Sequence, residues 1–177
     1  MPMAMMQIRV MRVFVTQRRV AVPMRMRLGH RAVMDMAVSP NGGKFLALAT
    51  DTSRNIIIDI GGGTTEIAVI ALGGIVCDKS VKVAGDVFTN DIAYYMRTQH
   101  NLYVGDRTAE QIKINVGSAL ENLTSPPDGM SVQGRDLVSG KPKQVDISHQ
   151  EIARALDKSL MRIEEAVMEA LSLTPPE

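Results

Sequence analysis

The chain has no tryptophan, and aromatic residues make up only 3% of it. A hydrophobic core must therefore be built from aliphatic side chains and methionine. A nucleic-acid surface that works by stacking bases on rings has little to draw on, and no nucleic-acid partner is expected. The single cysteine, Cys77, excludes an intrachain disulfide; it reads as a small core residue in a reducing compartment. His30, His100 and His149 are scattered, with no cysteine or carboxylate at metal-ligand spacing, which argues against a zinc site. Apolar runs stop at about six residues, far short of the ~20 that span a bilayer. Arginines interrupt every candidate core of a secretory signal, and serine, common in organelle transit peptides, first occurs at Ser39.

What is present divides in two. With 177 residues and 45% hydrophobic content the chain is long enough for one domain with a real core. Its net charge of +1 hides an asymmetry: residues 1–54 carry nine Lys/Arg against two Asp/Glu, and residues 55–177 carry eleven against seventeen. Nine of the 13 methionines lie before residue 37. Residues 1–54 are thus expected to be an atypical basic, Met-rich segment, disordered or the product of a shifted reading frame or wrong start site. Within it, Ile8–Val10 and Val13–Val15 are short strand candidates. A basic arm for nucleic acid or anionic lipid is the alternative, but Pro23 interrupts any long amphipathic helix.

The richest stretch is Ile56-Ile57-Ile58-Asp59-Ile60-Gly61-Gly62-Gly63-Thr64-Thr65-Glu66. A β-branched strand ends in an aspartate, three glycines turn the chain, and a second apolar strand follows. Glycine lets the backbone approach a ligand closely, and successive N–H groups in such a turn form a concave anion site. No lysine follows the glycines, so this is not a Walker A loop. Glu66 stands where a dinucleotide fingerprint has its last glycine, and a strand, not a helix, comes next. The bland alternative is a tight hairpin turn. Asp59 weighs against it, because a carboxylate in an apolar strand calls for a partner, and Mg²⁺ with nucleotide phosphates would supply one.

Asp59-Ile-Gly-Gly-Gly-Thr-Thr-Glu66 resembles the second phosphate loop of the actin and heat-shock-chaperone ATPases, and within them the MreB family of rod-shape-determining bacterial actin homologues. The likeness continues through Glu66–Val76, Val83-Ala-Gly-Asp86 (Ala84 replacing a glycine), Thr108-Ala-Glu-Gln-Ile-Lys113 (Gln111 replacing an arginine), Val132-Gln-Gly-Arg-Asp-Leu137 and Thr174-Pro-Pro-Glu177. It covers roughly residues 54–177.

This resemblance implies an α/β fold: the second domain of an actin-like, ribonuclease H-like ATPase, incomplete, with a mixed sheet and flanking helices over residues 55–177. It implies ATP and Mg²⁺ as cofactors. Gly62, Gly63 and Thr64 would meet the phosphates, Asp59 would hold Mg²⁺ through water, and Thr65 and Glu66 would position an attacking water. Glu110, Gln111, Ile112 and Lys113 would line the adenosine pocket, with Glu110 on a ribose hydroxyl and Lys113 at the base. Without the resemblance, Glu110 and Lys113 are one surface ion pair on a helix, Glu66 is an exposed strand start, and Asp86 is a helix N-cap. The implied protein is cytoplasmic, peripheral to the inner membrane, and assembles into filaments that organise the cell-wall elongation machinery. A chaperone-type ATPase of the same superfamily is the runner-up. A first phosphate loop, a catalytic glutamate before residue 54 and a later adenosine segment are not recognisable here. The chain alone is therefore expected to bind nucleotide weakly or not at all, and not to hydrolyse it.

Periodicity supplies the remaining elements. Glu66–Leu72, Gly74–Cys77 and Lys79–Val83 read as strands. Asp86–His100 reads as a helix with Phe88, Ile92, Tyr95 and Met96 on one stripe. Asn101–Asp106 reads as loop. Thr108 with Gln111 suggests a capping box opening a helix whose buried stripe is Ile112, Val116, Ala119, Leu120 and Leu123. Met130–Leu137 and Lys143–Ile147 form a hairpin around Ser139-Gly140. Ser148 with Glu151 starts a long helix that Pro175-Pro176 stops.

Overall fold

The computed structural model describes the backbone of residues 23–28, 32–37, 45–50, 54–71 and 74–173, and side chains from Ile56 onward except 71–73 and 174–177. The strand candidates at residues 8–15 and the proline stop lie outside the described residues. The elements run β1 (Pro23–Leu28), β2 (Ala32–Ala37), β3 (Phe45–Thr50), β4 (Arg54–Ile60), β5 (Thr65–Ala71), β6 (Gly74–Val81), α1 (Gly85–His100), β7 (Leu102–Tyr103), α2 (Asp106–Val116), β8 (Met130–Asp136), β9 (Pro142–Ile147) and α3 (His149–Ser172).

Strands β3-β4-β5-β6 make one sheet, β7-β8-β9 a second, and β1-β2 a separate pair. Every pairing described is antiparallel; most partners are only a few residues apart in sequence, too close for the long crossover a parallel pair needs, whereas β7 and β8 pair across the intervening α2. β3 lies before the boundary expected at residue 54 and pairs with β4 across it, Phe45 opposite Ile60 and Thr50 opposite Asn55.

Residue alternation decides which face of the main sheet is buried. Ile56, Ile58 and Ile60 on β4 and Thr65, Ile67 and Val69 on β5 point to one side and are buried; Asp59 and Glu66 point to the other. The expected pieces Gly74–Cys77 and Lys79–Val83 are one continuous strand, β6, whose register shifts opposite Val69/Ile70. The irregularity absorbs the phase change that made them look separate. Val83 lies beyond that strand, fully buried.

Helix α1 buries Phe88, Ile92 and Met96 completely, as the stripe requires, while Tyr95 is half-buried. Its N-cap is Ala84, and Asp86 stands inside the first turn instead of capping it. Helix α2 departs more from expectation. It is capped by Gly105, so Thr108 lies within the first turn and makes no capping box. It ends at Val116, where Gly117 caps it, so Ala119, Leu120 and Leu123 belong to the following loop and are only half-buried. Ser118 helps end the helix: its hydroxyl donates to the Leu120 carbonyl and accepts from the Leu120 N–H, a local alternative to helical bonding. Two residues expected in loop, Leu102 and Tyr103, pair with Asp136 and Arg135 as β7. Tertiary pairing makes that strand; two residues carry no period of their own. Asn101, in the left-handed conformation at φ 51°, ends α1 and turns the chain into it.

The β8–β9 hairpin and the α3 start match expectation. Gly140 takes φ +71° in the turn, and the Ser148–Glu151 capping box is reciprocal. At the turn, the Asp136 carboxylate accepts from the Ser139 and Val138 N–H groups and the Ser139 hydroxyl, with the Lys143 ammonium 3.4 Å away. The Ser139 N–H leads these in holding the carboxyl down to about 2. A depressed carboxylate stabilises the fold above its unfolded value of about 3.9. That contribution fades as pH falls from there through about 2. NMR titration of the Asp136 carboxyl carbon is expected to show a midpoint near 2; an ordinary carboxylate midpoint would mean that the turn does not hold it.

Candidate functional site

The glycine turn at Gly61–Gly63 joins β4 to β5 with a bond from the Gly61 N–H to the Thr64 carbonyl, 2.9 Å. Gly62, Gly63 and Thr64 are exposed at its tip, so their backbone and the Thr64 hydroxyl are open to a ligand. The turn does not stand alone. The segment entering α1 docks against it: the Gly85 N–H donates to the Gly61 carbonyl at 3.0 Å and the Asp86 N–H to the Gly62 carbonyl at 2.8 Å. A side chain at Gly85 would meet the Gly61 carbonyl at 3.3 Å, so glycine allows this close approach. The Asp86 carboxylate stands over Gly62, its Oδ1 3.6 Å from where a Cβ would be.

Thr65 is fully buried, and its hydroxyl donates to the Val83 carbonyl at 2.5 Å. It ties the second strand to the α1 entry segment. Glu66 is exposed and sits directly opposite Asp59 in the β4–β5 register. Opposed side chains on an antiparallel pair stand ~5 Å apart at Cβ, and like charges there repel. Two carboxylates placed this way beside an exposed glycine turn suit a hard cation with oxygen ligands, and Mg²⁺ takes one or two carboxylates and completes its shell with phosphate and water. Among the described residues no group of three His, Cys, Asp or Glu converges on one point. A magnesium ion would therefore rely mostly on phosphate and water oxygens.

Helix α2 closes the other side. Lys113 is buried, with its ammonium 2.9 Å from the Gly85 carbonyl, 2.9 Å from Thr89 Oγ1 and 2.7 Å from Glu110 Oε2. The Thr89 hydroxyl donates to Glu110 at 2.6 Å. Burial pushes the Glu110 carboxyl up, but bonds from Lys113 and Thr89 outweigh it and hold the group below its usual range. The contribution of Glu110 is thus full above the unfolded carboxylate value and lost as pH falls through the lower folded one. Gln111 is exposed, and Ile112 is fully buried in the core. A pocket contact from Ile112 would have to come from its backbone.

The structure thus brings together the glycine turn, the Gly85-Asp86 segment and the Glu110–Lys113 face. Thr89 is the participant that sequence reasoning missed. Its signal was its place four residues after Gly85, where a helical threonine can bond back to the i−4 carbonyl; its Oγ1 does lie 3.0 Å from that carbonyl, but its single proton goes to the nearer Glu110 carboxylate.

Comparisons with known proteins identify the family. A family model described as MreB/Mbl protein matches residues 12–177, reaching well into the basic segment. The cell shape-determining protein Mbl of Bacillus subtilis (strain 168) is 42% identical over 125 residues, 71% of this chain and 37% of that protein. The cell shape-determining protein MreB of Escherichia coli (strain K12) is 40% identical over 131 residues, 72% of this chain and 36% of that one. Crystal structures of MreB5 of Spiroplasma citri bound to AMPPNP and to ADP are each similar at a TM-score of 0.64 and 43% identity, covering 70% of this chain and 37% of theirs. The chain spans little more than a third of the length of these relatives. With the family model matching nearly its whole length and the actin-like fold shared with solved relatives, the chain belongs to the MreB/Mbl family.

Proposed function

We propose that this chain carries one jaw of an ATP–Mg²⁺ clamp in a cell-shape-determining cytoskeletal protein. The observation that carries the reading is the three-way junction in which Gly85 bonds to Gly61 and Lys113 bonds to Gly85. In it the exposed glycine turn and a polar helix face lie side by side, which supports the reading. Gly62, Gly63 and Thr64 bind the β- and γ-phosphates through N–H groups and a hydroxyl. Asp59, with Glu66 opposite, holds the cation through water. When bound, Mg²⁺ neutralises phosphate charge. Glu110 accepts from a ribose hydroxyl, and Gln111 lies at the pocket rim. The nucleotide-bound Spiroplasma citri relatives support a nucleotide ligand.

The described residues supply one jaw, and the chain matches little more than a third of the relatives' length. This chain alone therefore binds ATP weakly and does not turn it over. The whole protein assembles into filaments at the inner membrane face and organises the cell-wall elongation machinery. No helix among the described residues is long and apolar enough to cross a membrane.

Titration of Mg²⁺–ATP into the chain is expected to give a Kd weaker than ~0.1 mM, or about −5.5 kcal/mol. Amide shifts in NMR should gather at residues 61–64, 85–86 and 110. Asp59→Asn should remove the magnesium dependence of those shifts. Shifts scattered over α3, or absent at millimolar ATP, would refute the reading.

A further inference from the structure

Lys113 is placed by the family resemblance at the base of a bound nucleotide, but its surroundings give it a different task. An ammonium has three protons and no acceptor. Here three acceptors surround Nζ: the Gly85 carbonyl, Thr89 Oγ1 and Glu110 Oε2. The residue is only 5% exposed, so its charge is held inside the protein with every proton committed. A Cβ at Gly85 would lie 3.4 Å from that ammonium and 3.3 Å from the Gly61 carbonyl. Lys113, Gly85 and Gly61 are therefore stacked in direct contact, with no layer between.

We propose that Lys113 is a positioning residue: a strut from α2 that holds the Gly85-Asp86 segment, and through it the Gly61–Gly63 turn, in the shape that accepts phosphate. Its donation to the Gly85 carbonyl fixes the peptide unit whose Asp86 N–H bonds to Gly62, next to the unit whose Gly85 N–H bonds to Gly61. Thr89 locks the strut by accepting from Lys113 while it donates to Glu110. Glu110 remains the ribose-facing group, so the helix that touches the nucleoside also sets the geometry of the phosphate loop. The link to nucleotide rests on the proposed function; the strut itself is a property of the unliganded chain.

The test is amide hydrogen exchange on the unliganded chain, comparing wild type, Lys113→Met and Thr89→Val. Methionine keeps the unbranched stem and removes the three donors; valine keeps the shape of threonine and removes the bridge. A strut predicts that the Gly85 and Asp86 amides exchange ~10-fold faster in Lys113→Met, relative to the Ile163 amide of α3 in the same sample. Thr89→Val should move the same amides in the same direction by a smaller factor. A base-contacting lysine predicts no selective change in either variant, and that result overturns the proposal. So does acceleration of Ile163 by the same factor, which is general destabilisation.

A second arm titrates tripolyphosphate and, separately, adenosine. The strut predicts that Lys113→Met weakens tripolyphosphate binding at residues 61–64, although that probe has no base; loss of adenosine binding alone overturns it. A wild-type chain that answers neither probe counts against the nucleotide reading, and the exchange comparison still decides the strut.

Discussion

Phe88→Ala is expected to destabilise the fold by about 3–5 kcal/mol, the range for removing a buried aromatic ring from a packed core. Phe88 is fully buried in the first turn of α1, next to the segment that meets the glycine turn. With only three phenylalanines and no tryptophan in the chain, few large side chains can move into the gap. The aliphatic residues of the same core, Ile58, Ile60, Ile67 and Ile92 among them, are themselves fully buried. β-Branched isoleucine has few rotamers with which to fill a cavity. The urea midpoint should fall with the slope unchanged. A loss below ~1 kcal/mol would mean that the core under the site is loosely packed.

Gly134→Ala is the second large effect, and it acts through shape alone. A Cβ at this position in β8 would lie 2.4 Å from the Tyr103 carbonyl oxygen and 2.8 Å from Leu102 Cγ. The first is backbone and the second belongs to a fully buried side chain, so neither yields cheaply. Overpacking of this kind typically costs about 1–3 kcal/mol. The expected structural result is separation of β7 from β8, read as faster exchange at Leu102, Tyr103 and their partners Arg135 and Asp136. Gly74→Ala is the control, since nothing lies within 4 Å of its added carbon and its effect should stay within ~0.5 kcal/mol. Equal effects at the two glycines would show that the clash at Gly134 is relieved by the structure and does not destabilise it.

How much was readable without coordinates follows from the range of each interaction. Phe88, Ile92 and Met96 were recognisable as a core stripe because a helix repeats its face every three to four residues. The Ser148–Glu151 cap and the β8–β9 turn were legible because both close within a few residues. The end of α2 was not. The apolar residues at 119, 120 and 123 continue the helical period, and Gly117 with Ser118 stops it by geometry that the period does not record. Thr108 with Gln111 has the spacing of a capping box, but the helix begins a turn earlier, at Gly105.

The candidate site divides in the same way. Sequence alone determined the glycine turn, the carboxylate at the strand end and the family resemblance, because these lie in one contiguous stretch and in local spacing. Tertiary structure alone decided what the turn rests on. Gly61, Gly85, Thr89, Glu110 and Lys113 are separated by up to 52 positions in the chain, yet they form one hydrogen-bonded junction. No periodicity links residues at such distances. Only the packing of α1 and α2 beside the sheet brings the ammonium of Lys113 to the Gly85 carbonyl, and burial there makes its pairing compulsory.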